Sequence, residues 1–187
     1  MRIGAGEARG RKLARPLGRG VRPTTGRIKG VIFDILASQG AAMDRVLDLY
    51  CGSGALGIEA LSRGAGRCDF VDADARACAI VRENLARLGW RDRAKVYNLP
   101  AGRALARLEG PYDLVVADPP YGYDRAESEL AGLIAQGLLA ADGVLVVEHS
   151  KRREWPERLG DRARILSRRH GDTCVSVYRL AAGGAAE

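Results

Sequence analysis

The sequence is short of aromatic residues, histidine and long apolar runs. Phe, Trp and Tyr make up 5% of its 187 residues, and 2 histidines are present. No apolar run reaches the roughly 20 residues that a membrane-spanning helix needs, and the N-terminus lacks the apolar core of a signal peptide, so we expect a cytoplasmic protein with no membrane association. The 4 cysteines form no close pair, and no histidine lies at zinc spacing. We therefore expect reduced, mostly buried thiols and no metal site.

Acidic residues are almost absent from the N-terminal segment. Residues 1–30 carry nine basic side chains and one acidic side chain, Glu7, whereas the remainder carries 21 basic and 22 acidic side chains. The net charge of +7 therefore comes entirely from this segment. A basic segment on a nearly neutral body favours a polyanionic partner, of which nucleic acid is the simplest. The alternative interpretation is a solvated segment whose charge maintains solubility.

Turn-forming residues divide the chain into an N-terminal extension and an alternating α/β body. In residues 1–40 the pattern predicts a β-hairpin (1–5 and 9–14), a Gly- and Pro-rich loop (16–23), and a helix that Thr24 or Thr25 caps and Gly40 ends. The strands predicted in the body cover 46–50, 68–72, 95–98, 112–117, 143–148, 162–169 and 173–180. The helices predicted between them cover 55–63, 75–88, 102–108 and 127–139.

Alternation of strands and helices predicts right-handed crossovers and a mostly parallel sheet covered by helices. The last two predicted strands form an antiparallel hairpin, which fits the class I methyltransferase architecture better than a dehydrogenase. We therefore predict a Rossmann-like α/β fold with a seven-stranded sheet and a C-terminal antiparallel hairpin. The basic extension (1–40) is expected to pack on this methyltransferase-like domain (41–181), and the tail (182–187) to be disordered.

The tetrapeptide Asp118–Tyr121, Asp-Pro-Pro-Tyr, follows the fourth predicted strand of the body. Its prolines cannot donate backbone hydrogen bonds, so the strand must end there. Ligands of open α/β sheets bind at the carboxyl ends of the strands. The cluster suits a planar group with an exocyclic amine, because Tyr121 offers a stacking face while Asp118 and the Pro119 carbonyl can accept N–H hydrogen bonds. The alternative is a structural turn in which Asp118 is an ordinary cap.

A glycine motif follows the first predicted strand of the body. Gly52, Gly54 and Gly57 match G-x-G-x-x-G between a strand and a helix, where glycine lets the backbone approach a ligand. Asp72, 20 residues beyond Gly52, is expected to hold ribose hydroxyls unless it is a plain strand-end turn. The motif alone does not distinguish NAD from S-adenosylmethionine. Asp48 favours S-adenosylmethionine, because a carboxylate can meet a cationic amino group but repels a pyrophosphate; the alternative is a helix-terminus cap.

The two motifs together predict a mechanism. Their strands, the first and the fourth, are neighbours in this fold, so a sulfonium methyl group and an amine nitrogen can be aligned for direct in-line displacement. An aryl amine loses its proton after the new bond forms, so Asp118 is expected to orient the amine more than to act as a strong base. A base in a folded nucleic acid must first be unstacked, and Tyr121 can supply replacement stacking.

These features resemble those of bacterial methyltransferases that act on the N2 of a guanine in small-subunit (16S) ribosomal RNA. The resemblance covers nearly the whole chain and rests on Gly10–Leu13, Arg22–Thr25, Phe33–Leu36, Asp48–Gly57, Asp118–Tyr121 and the final hairpin. It implies S-adenosylmethionine as the methyl donor. It also implies ribosomal RNA, the small ribosomal subunit or an assembly intermediate as the partner of what we expect to be a monomer.

The resemblance also implies roles for particular residues. The expected catalytic residues are Asp118, Pro119, Pro120 and Tyr121. The expected cofactor-binding residues are Asp48, Tyr50, Gly52, Ser53, Gly54, Asp72, Ala73, Asn98 and Ala101. The expected RNA-binding residues are Arg9, Arg11, Lys12, Arg22, Thr24, Thr25 and Arg27. Related enzymes often place an acidic residue against the cofactor adenine where this chain has Pro100, so Asn98 or the Ala101 N–H is expected to take its place.

Other interpretations stay open at this stage. DNA adenine-N6 and cytosine-N4 methyltransferases share Asp-Pro-Pro-Tyr, although a chain of 187 residues leaves little room for a target-recognition domain. Protein glutamine methylation usually goes with Asn in place of Asp118, and a non-catalytic RNA-binding assembly factor is a further alternative. Glu148 and His149 either line the base pocket or form a satisfied strand-end pair. Trp90 and Trp155 are expected to be packing anchors.

Overall fold

An eight-stranded mixed sheet forms the centre of the computed structural model, which describes residues 1–15 and 26–180. The strands are β1 (Arg45–Leu49), β2 (Arg67–Asp72), β3 (Ala94–Asn98), β4 (Tyr112–Ala117), β5 (Leu139–Ser150), β6 (Arg158–Leu159), β7 (Arg162–His170) and β8 (Thr173–Leu180). The α-helices are α1 (Gly26–Ser38), α2 (Ala55–Ser62), α3 (Ala75–Leu88), α4 (Ala101–Ala104) and α5 (Ala126–Ala135). None of the helices in the described ranges combines the length and apolar character needed to cross a bilayer.

The strand order is β3-β2-β1-β4-β5-β8-β7-β6. The first five strands of this order are parallel, and β8, β7 and β6 are added antiparallel at the β5 edge. The α/β fold predicted from the sequence is thus confirmed, and so is the pairing of the first strand with the fourth, which sets Leu49 opposite Ala117. The eighth strand is β6, whose two residues are too few for any periodicity to predict it.

Several boundaries differ from the prediction because glycine and tertiary pairing override local pattern. Helix α5 ends at Ala135 rather than near 139, and Gly137 follows it with a positive φ of 69°. Strand β5 begins at Leu139, four residues before the predicted start, because its first residue pairs with Tyr112 ahead of an irregularity in register. Helix α4 is one turn long and continues as a 3₁₀ turn over Leu105–Arg107.

Two apolar layers enclose the sheet. Helices α1, α2 and α3 cover one face, where Phe33 of α1 and Phe70 of β2 belong to the same core, and α4 and α5 cover the other, where Leu130 packs with Trp155 and Tyr112. The strands β1 and β4 are buried on both faces, as expected for parallel strands with helices on both sides. Trp90 and Trp155 are both buried, in accord with packing roles.

The predicted N-terminal hairpin is reduced to one antiparallel bridge, between Arg2 and Lys12. It lies against α2, whose Glu59 is fully buried and accepts hydrogen bonds from the Gly4 N–H (2.8 Å) and the Ala5 N–H (3.0 Å). The Lys29 ammonium of α1 lies 2.5 Å from the same carboxylate, and it is also buried. A single glutamate therefore joins the N-terminal segment, α1 and α2.

The end of the first described range contacts α3. The side chain of Asn84 accepts a hydrogen bond from the Ala14 N–H (2.8 Å) and donates to the carbonyls of Ala14 (3.1 Å) and Ser53 (3.3 Å). Asn84 thus connects the N-terminal segment to the glycine turn. The predicted loop 16–23, the capping residues Thr24 and Thr25, and the tail 182–187 lie outside the described residues.

Candidate functional site

A cavity of about 540 Å³ opens at the carboxyl ends of the parallel strands. The turn after β1 and the tetrapeptide after β4 both line it. Because β1 and β4 are hydrogen-bonded neighbours, their carboxyl ends share one edge of the sheet. Most predicted site residues line this cavity, and they are Asp48, Tyr50, Gly52, Ser53, Asp72, Ala73, Ala101, Asp118, Pro119, Pro120 and Tyr121.

Backbone geometry explains why glycine stands at three positions of the turn. Gly52 has a φ of 52°, and a Cβ atom there would meet no protein atom within 4 Å, so its backbone faces open space in the cavity. The Gly52 N–H donates to the Asp72 carboxylate (2.8 Å), which closes the turn. A Cβ atom on Gly54 would lie 3.0 Å from the Val81 side chain, and a Cβ atom on Gly57 would lie 2.6 Å from the Cys68 sulfur. The second and third glycines therefore allow close packing, and the first one bounds the cavity.

Asp48 lies at the base of the cavity and is 1% exposed. Its carboxylate accepts a hydrogen bond from the Gly57 N–H of α2 (2.8 Å). Burial raises the pKa of Asp48 well above its ordinary value, and the neighbouring carboxylates of Asp118 and Asp72 raise it further, while the Gly57 N–H acts in the opposite direction. A cationic ligand group beside Asp48 would favour its ionised form.

A hydrogen-bonded network behind the cavity joins three loops. The Glu129 carboxylate of α5 accepts hydrogen bonds from the hydroxyls of Tyr50 (2.6 Å) and Tyr123 (2.9 Å) and from the Gly102 N–H (3.2 Å). Tyr50 has a φ of 61°, a conformation that non-glycine residues adopt at a cost, so the network also holds a strained residue at the cavity wall. The sequence prediction missed Tyr123 and Glu129; the signal available was an aromatic residue two positions after the Asp-Pro-Pro-Tyr motif.

The tetrapeptide presents its aromatic ring at the cavity mouth. Pro119 is buried, whereas Tyr121 is 51% exposed. The Tyr121 hydroxyl lies 3.3 Å from the Thr173 hydroxyl of β8. At the other end of the tetrapeptide, the Asp118 N–H approaches the Leu49 carbonyl of β1 at 3.4 Å. The ring therefore stands accessible to a flat ligand while its tip contacts the neighbouring hairpin.

The charge inside the cavity is opposite in sign to that of the chain. Five carboxylates line it, and they belong to Asp48, Asp72, Asp74, Asp118 and Glu148. Within residues 1–15 and 26–180, the cavity lining includes no lysine, arginine or histidine. Such a lining attracts cations and hydrogen-bond donors and disfavours phosphate groups.

Two predicted cofactor residues lie away from the cavity lining. Gly54 is buried inside the turn, where it serves packing. The Asn98 amide donates to the backbone carbonyls of Asp72 (3.1 Å) and Ala73 (3.0 Å), so it braces the loop after β2. Pro100 lines the cavity next to Ala101.

Glu148 and His149, which follow the apolar part of β5, lie in different environments. Glu148 lines the cavity, whereas the His149 ring bonds to the Ser176 hydroxyl (2.9 Å) and packs on Trp155 with ring centroids 5.3 Å apart. Burial lowers the pKa of His149. His149 is therefore a satisfied core residue, and Glu148 belongs to the site.

The predicted RNA-binding residues are only partly covered by the structure. Among the described residues, the exposed ones are Arg9, Arg11, Lys12 and Arg27. Arg22, Thr24 and Thr25 lie outside the described ranges. In the part of the chain that the structure describes, no three His, Cys, Asp or Glu side chains are grouped in a way that could hold a metal ion.

Comparison with known proteins gives consistent matches over the length of the chain. A family model described as "Conserved hypothetical protein 95" matches residues 1–179. YlbH of Bacillus subtilis (strain 168), provisionally named an rRNA methyltransferase, is 39% identical over 184 residues, which is 96% of this chain and 98% of that protein. The ribosomal RNA small subunit methyltransferase D of Escherichia coli (strain K12) is 38% identical over 149 residues, which is 79% of this chain and 74% of that protein.

The fold comparison agrees with the sequence comparison. The solved structure of the Escherichia coli protein yhhF superposes with a TM-score of 0.85 at 32% identity, covering 97% of this chain and 98% of that chain. The two motifs that line the cavity lie within the region matched by the family model. The chain therefore belongs to the ribosomal RNA small subunit methyltransferase D family, whose model is described as conserved hypothetical protein 95.

Proposed function

We propose that this protein transfers a methyl group from S-adenosylmethionine to the exocyclic N2 amine of a guanine in small-subunit ribosomal RNA. The observation that carries the proposal is the acidic cavity that both motifs line, at the shared edge of β1 and β4. The family supports methyl transfer to ribosomal RNA. The choice of the N2 amine rests on Asp118–Tyr121 and on the resemblance described above.

The residues present fit S-adenosylmethionine better than a dinucleotide. The open space beside Gly52 allows a ligand to approach its backbone, and Asp72 stands at the end of β2, where a carboxylate can accept hydrogen bonds from ribose hydroxyls. Buried Asp48 suits the ligand's cationic amino group, whereas five carboxylates would repel a pyrophosphate. When bound, S-adenosylmethionine supplies a methyl group activated by a sulfonium centre.

The chain's own residues then act by positioning. The Asp118 carboxylate and the Pro119 carbonyl accept the N–H bonds of the exocyclic amine and point its nitrogen lone pair along the line of displacement. The half-exposed ring of Tyr121 replaces the stacking that the base loses on leaving the RNA. Because the amine proton is lost after the new C–N bond forms, no strong base is required of Asp118.

The exposed cations of the N-terminal segment support RNA as the substrate. Arg9, Arg11 and Lys12 lie in a segment that Glu59 and Asn84 attach to α2 and α3, so they are held at a fixed position on the body of the protein. Phosphate contacts from such residues position a nucleic acid without reading its sequence. A DNA amino-methyltransferase is the second candidate, because it would use the same tetrapeptide chemistry.

Transfer of a tritiated methyl group into ribosomal RNA from cells lacking the protein tests the proposal. Nucleoside analysis should then identify N2-methylguanosine. Recovery of N6-methyladenosine, or incorporation only into DNA, would contradict it.

Substitution of Asp118 tests its assigned role. We expect Asp118→Ala to lower the rate of methyl transfer by roughly 10²–10³-fold, a loss comparable to removing one preorganised hydrogen-bonding group from an active site. Binding of S-adenosylmethionine and of RNA should change little, as measured by calorimetry and filter binding. Unchanged turnover in Asp118→Ala would refute the orienting role. Glu154→Ala, which removes an exposed carboxylate outside the cavity lining, is the matched control.

A further inference from the structure

The β7–β8 hairpin reaches the same edge of the sheet as the cavity. Ser150, the last residue of β5, pairs with Thr173, the first residue of β8, and His170 at the end of β7 pairs with Thr173 as well. The tight turn at Gly171 and Asp172 therefore lies beside the carboxyl end of β5. Strand β7 is three positions from β4 in the sheet order, a separation of roughly 14 Å at the usual strand spacing.

Four exposed cations lie at this corner, and we call Lys151, Arg152, Arg168 and Arg169 the hairpin surface. The acidic residue among them is Asp172, which pairs with Lys151 at 2.5 Å. Among the described residues, no carboxylate lies within ion-pair distance of the other three cations. The Arg169 side chain is oriented by a hydrogen bond from its Nε to the Gly171 carbonyl (3.1 Å).

The hairpin surface is joined directly to the residue that is proposed to stack on the target base. Thr173 contacts the Tyr121 hydroxyl at 3.3 Å, and the Lys151 N–H donates to the Asp172 carbonyl (2.9 Å). The turn after β5, the β7–β8 turn and the tetrapeptide are thus held together. A chain of phosphates that leads away from a base at Tyr121 would pass this edge of the sheet, where Arg168 and Arg169, as consecutive residues of β7, project from its two faces.

The N-terminal segment lies on the opposite side of the cavity. It is bonded to α2 and α3, the helices that connect β1, β2 and β3, whereas the hairpin surface lies beyond β5. The two basic surfaces therefore lie on opposite sides of the cavity along the strand order, and Arg11 contacts the Arg87 carbonyl in the last turn of α3, away from the cavity edge. This arrangement lets a flexible nucleic acid be held on both sides of one unstacked nucleotide while its base alone enters the acidic cavity.

We propose that the hairpin surface is a second RNA-binding surface, which contacts backbone phosphates on the β5 side of the target base. The inference rests on the proposed function, because the partner is the RNA that is methylated. The hairpin residues make no base-specific contact in this proposal. They fix the direction in which the strand leaves the cavity.

The double variant Arg168→Ala/Arg169→Ala tests this inference. Each phosphate contact contributes a slope of about 0.7 to the dependence of log affinity on log salt for a single strand, or roughly fivefold in affinity near 0.1 M salt. We expect the variant to bind deproteinised small-subunit rRNA roughly 25-fold more weakly and to show a salt slope lower by about 1.4. Its melting temperature and its affinity for S-adenosylmethionine should match those of the wild type.

Arg67→Ala/Arg91→Ala is the matched control. Both residues are exposed arginines at the amino ends of β2 and β3, on the opposite edge of the sheet, and removing them changes the net charge equally. An equal loss of RNA affinity in both double variants would overturn the proposal, and so would unchanged affinity in Arg168→Ala/Arg169→Ala. A wild-type protein that neither binds nor methylates the RNA would instead contradict the proposed function itself.

Discussion

Removal of the Glu59 carboxylate should detach the N-terminal segment from the body. The carboxylate is fully buried, and it accepts hydrogen bonds from the backbone of Gly4 and Ala5 and from the side chains of Lys29 and Arg63. In Glu59→Ala the Lys29 ammonium, which is 1% exposed, keeps the Arg2 carbonyl at 2.9 Å but loses its counter-charge.

Breaking one side of a buried ion pair costs about 3–5 kcal/mol, because the remaining charge stays out of water. For a chain of this size each kcal/mol lowers the melting temperature by about 2–4 °C, so we expect Glu59→Ala to melt roughly 10 °C lower than the wild type. The variant Lys29→Met/Glu59→Leu removes both charges and should recover part of that loss. Thermal denaturation followed by circular dichroism measures these shifts.

Glu83→Ala provides the control for Glu59→Ala. Glu83 pairs with Arg87 one turn along α3, but the side chains are 46% and 61% exposed, so losing this pair should cost about 0.5 kcal/mol or less. Amide hydrogen exchange should show faster exchange of Ile3 and Leu13 in Glu59→Ala alone. Equal melting temperatures and equal exchange in the two variants would refute the reasoning.

The same carboxylate predicts a pH dependence. Burial raises the pKa of Glu59, but hydrogen bonds from Gly4, Lys29 and Arg63 and the charge of Lys29 outweigh burial and lower it below its ordinary value of about 4.5. A lowered pKa in the folded state stabilises the protein above the unfolded pKa, and that stability is lost as the pH falls through the folded value. The difference in melting temperature between the wild type and Glu59→Gln should therefore be largest near neutral pH and shrink below about pH 4.5.

Two further predictions concern the cavity. Gly57→Ala should destabilise the fold by about 1–3 kcal/mol, because the new methyl group overlaps Cys68. Gly52→Ala should instead lower the affinity for S-adenosylmethionine at least tenfold, with a loss of stability of only about 1 kcal/mol from its positive φ. Denaturant melts and calorimetry on both variants check this, and equal stability losses would contradict it. Asp48→Asn should weaken S-adenosylmethionine binding by roughly 10–100-fold. Because burial raises the pKa of Asp48, its ionisation lowers the free energy of unfolding by a larger amount as the pH rises. Asp48→Asn should therefore raise the melting temperature at pH 7 more than at pH 4. The opposite trend would exclude a buried ionising carboxyl.

The local sequence determined most of the fold. Helix α3 begins at Ala75 and ends at Leu88, as predicted, because Asp74 caps its first turn and Gly89 ends it in a left-handed conformation. The run of apolar residues before Asp118 could only be a buried strand, and two prolines had to end it. Chemistry of this kind is set by neighbouring residues, so the sequence is sufficient to predict it.

The tertiary structure decided what the glycine motif and the acidic residues each do. Sequence spacing made Gly52, Gly54 and Gly57 equivalent, whereas the fold turns Gly52 towards the cavity and packs Gly57 against Cys68. In the same way, Glu129, which is distant in the sequence, accepts a hydrogen bond from the Tyr50 hydroxyl only because α5 packs behind the turn after β1. Which side chains face a cavity depends on contacts between residues far apart in the chain, and no local pattern records those contacts.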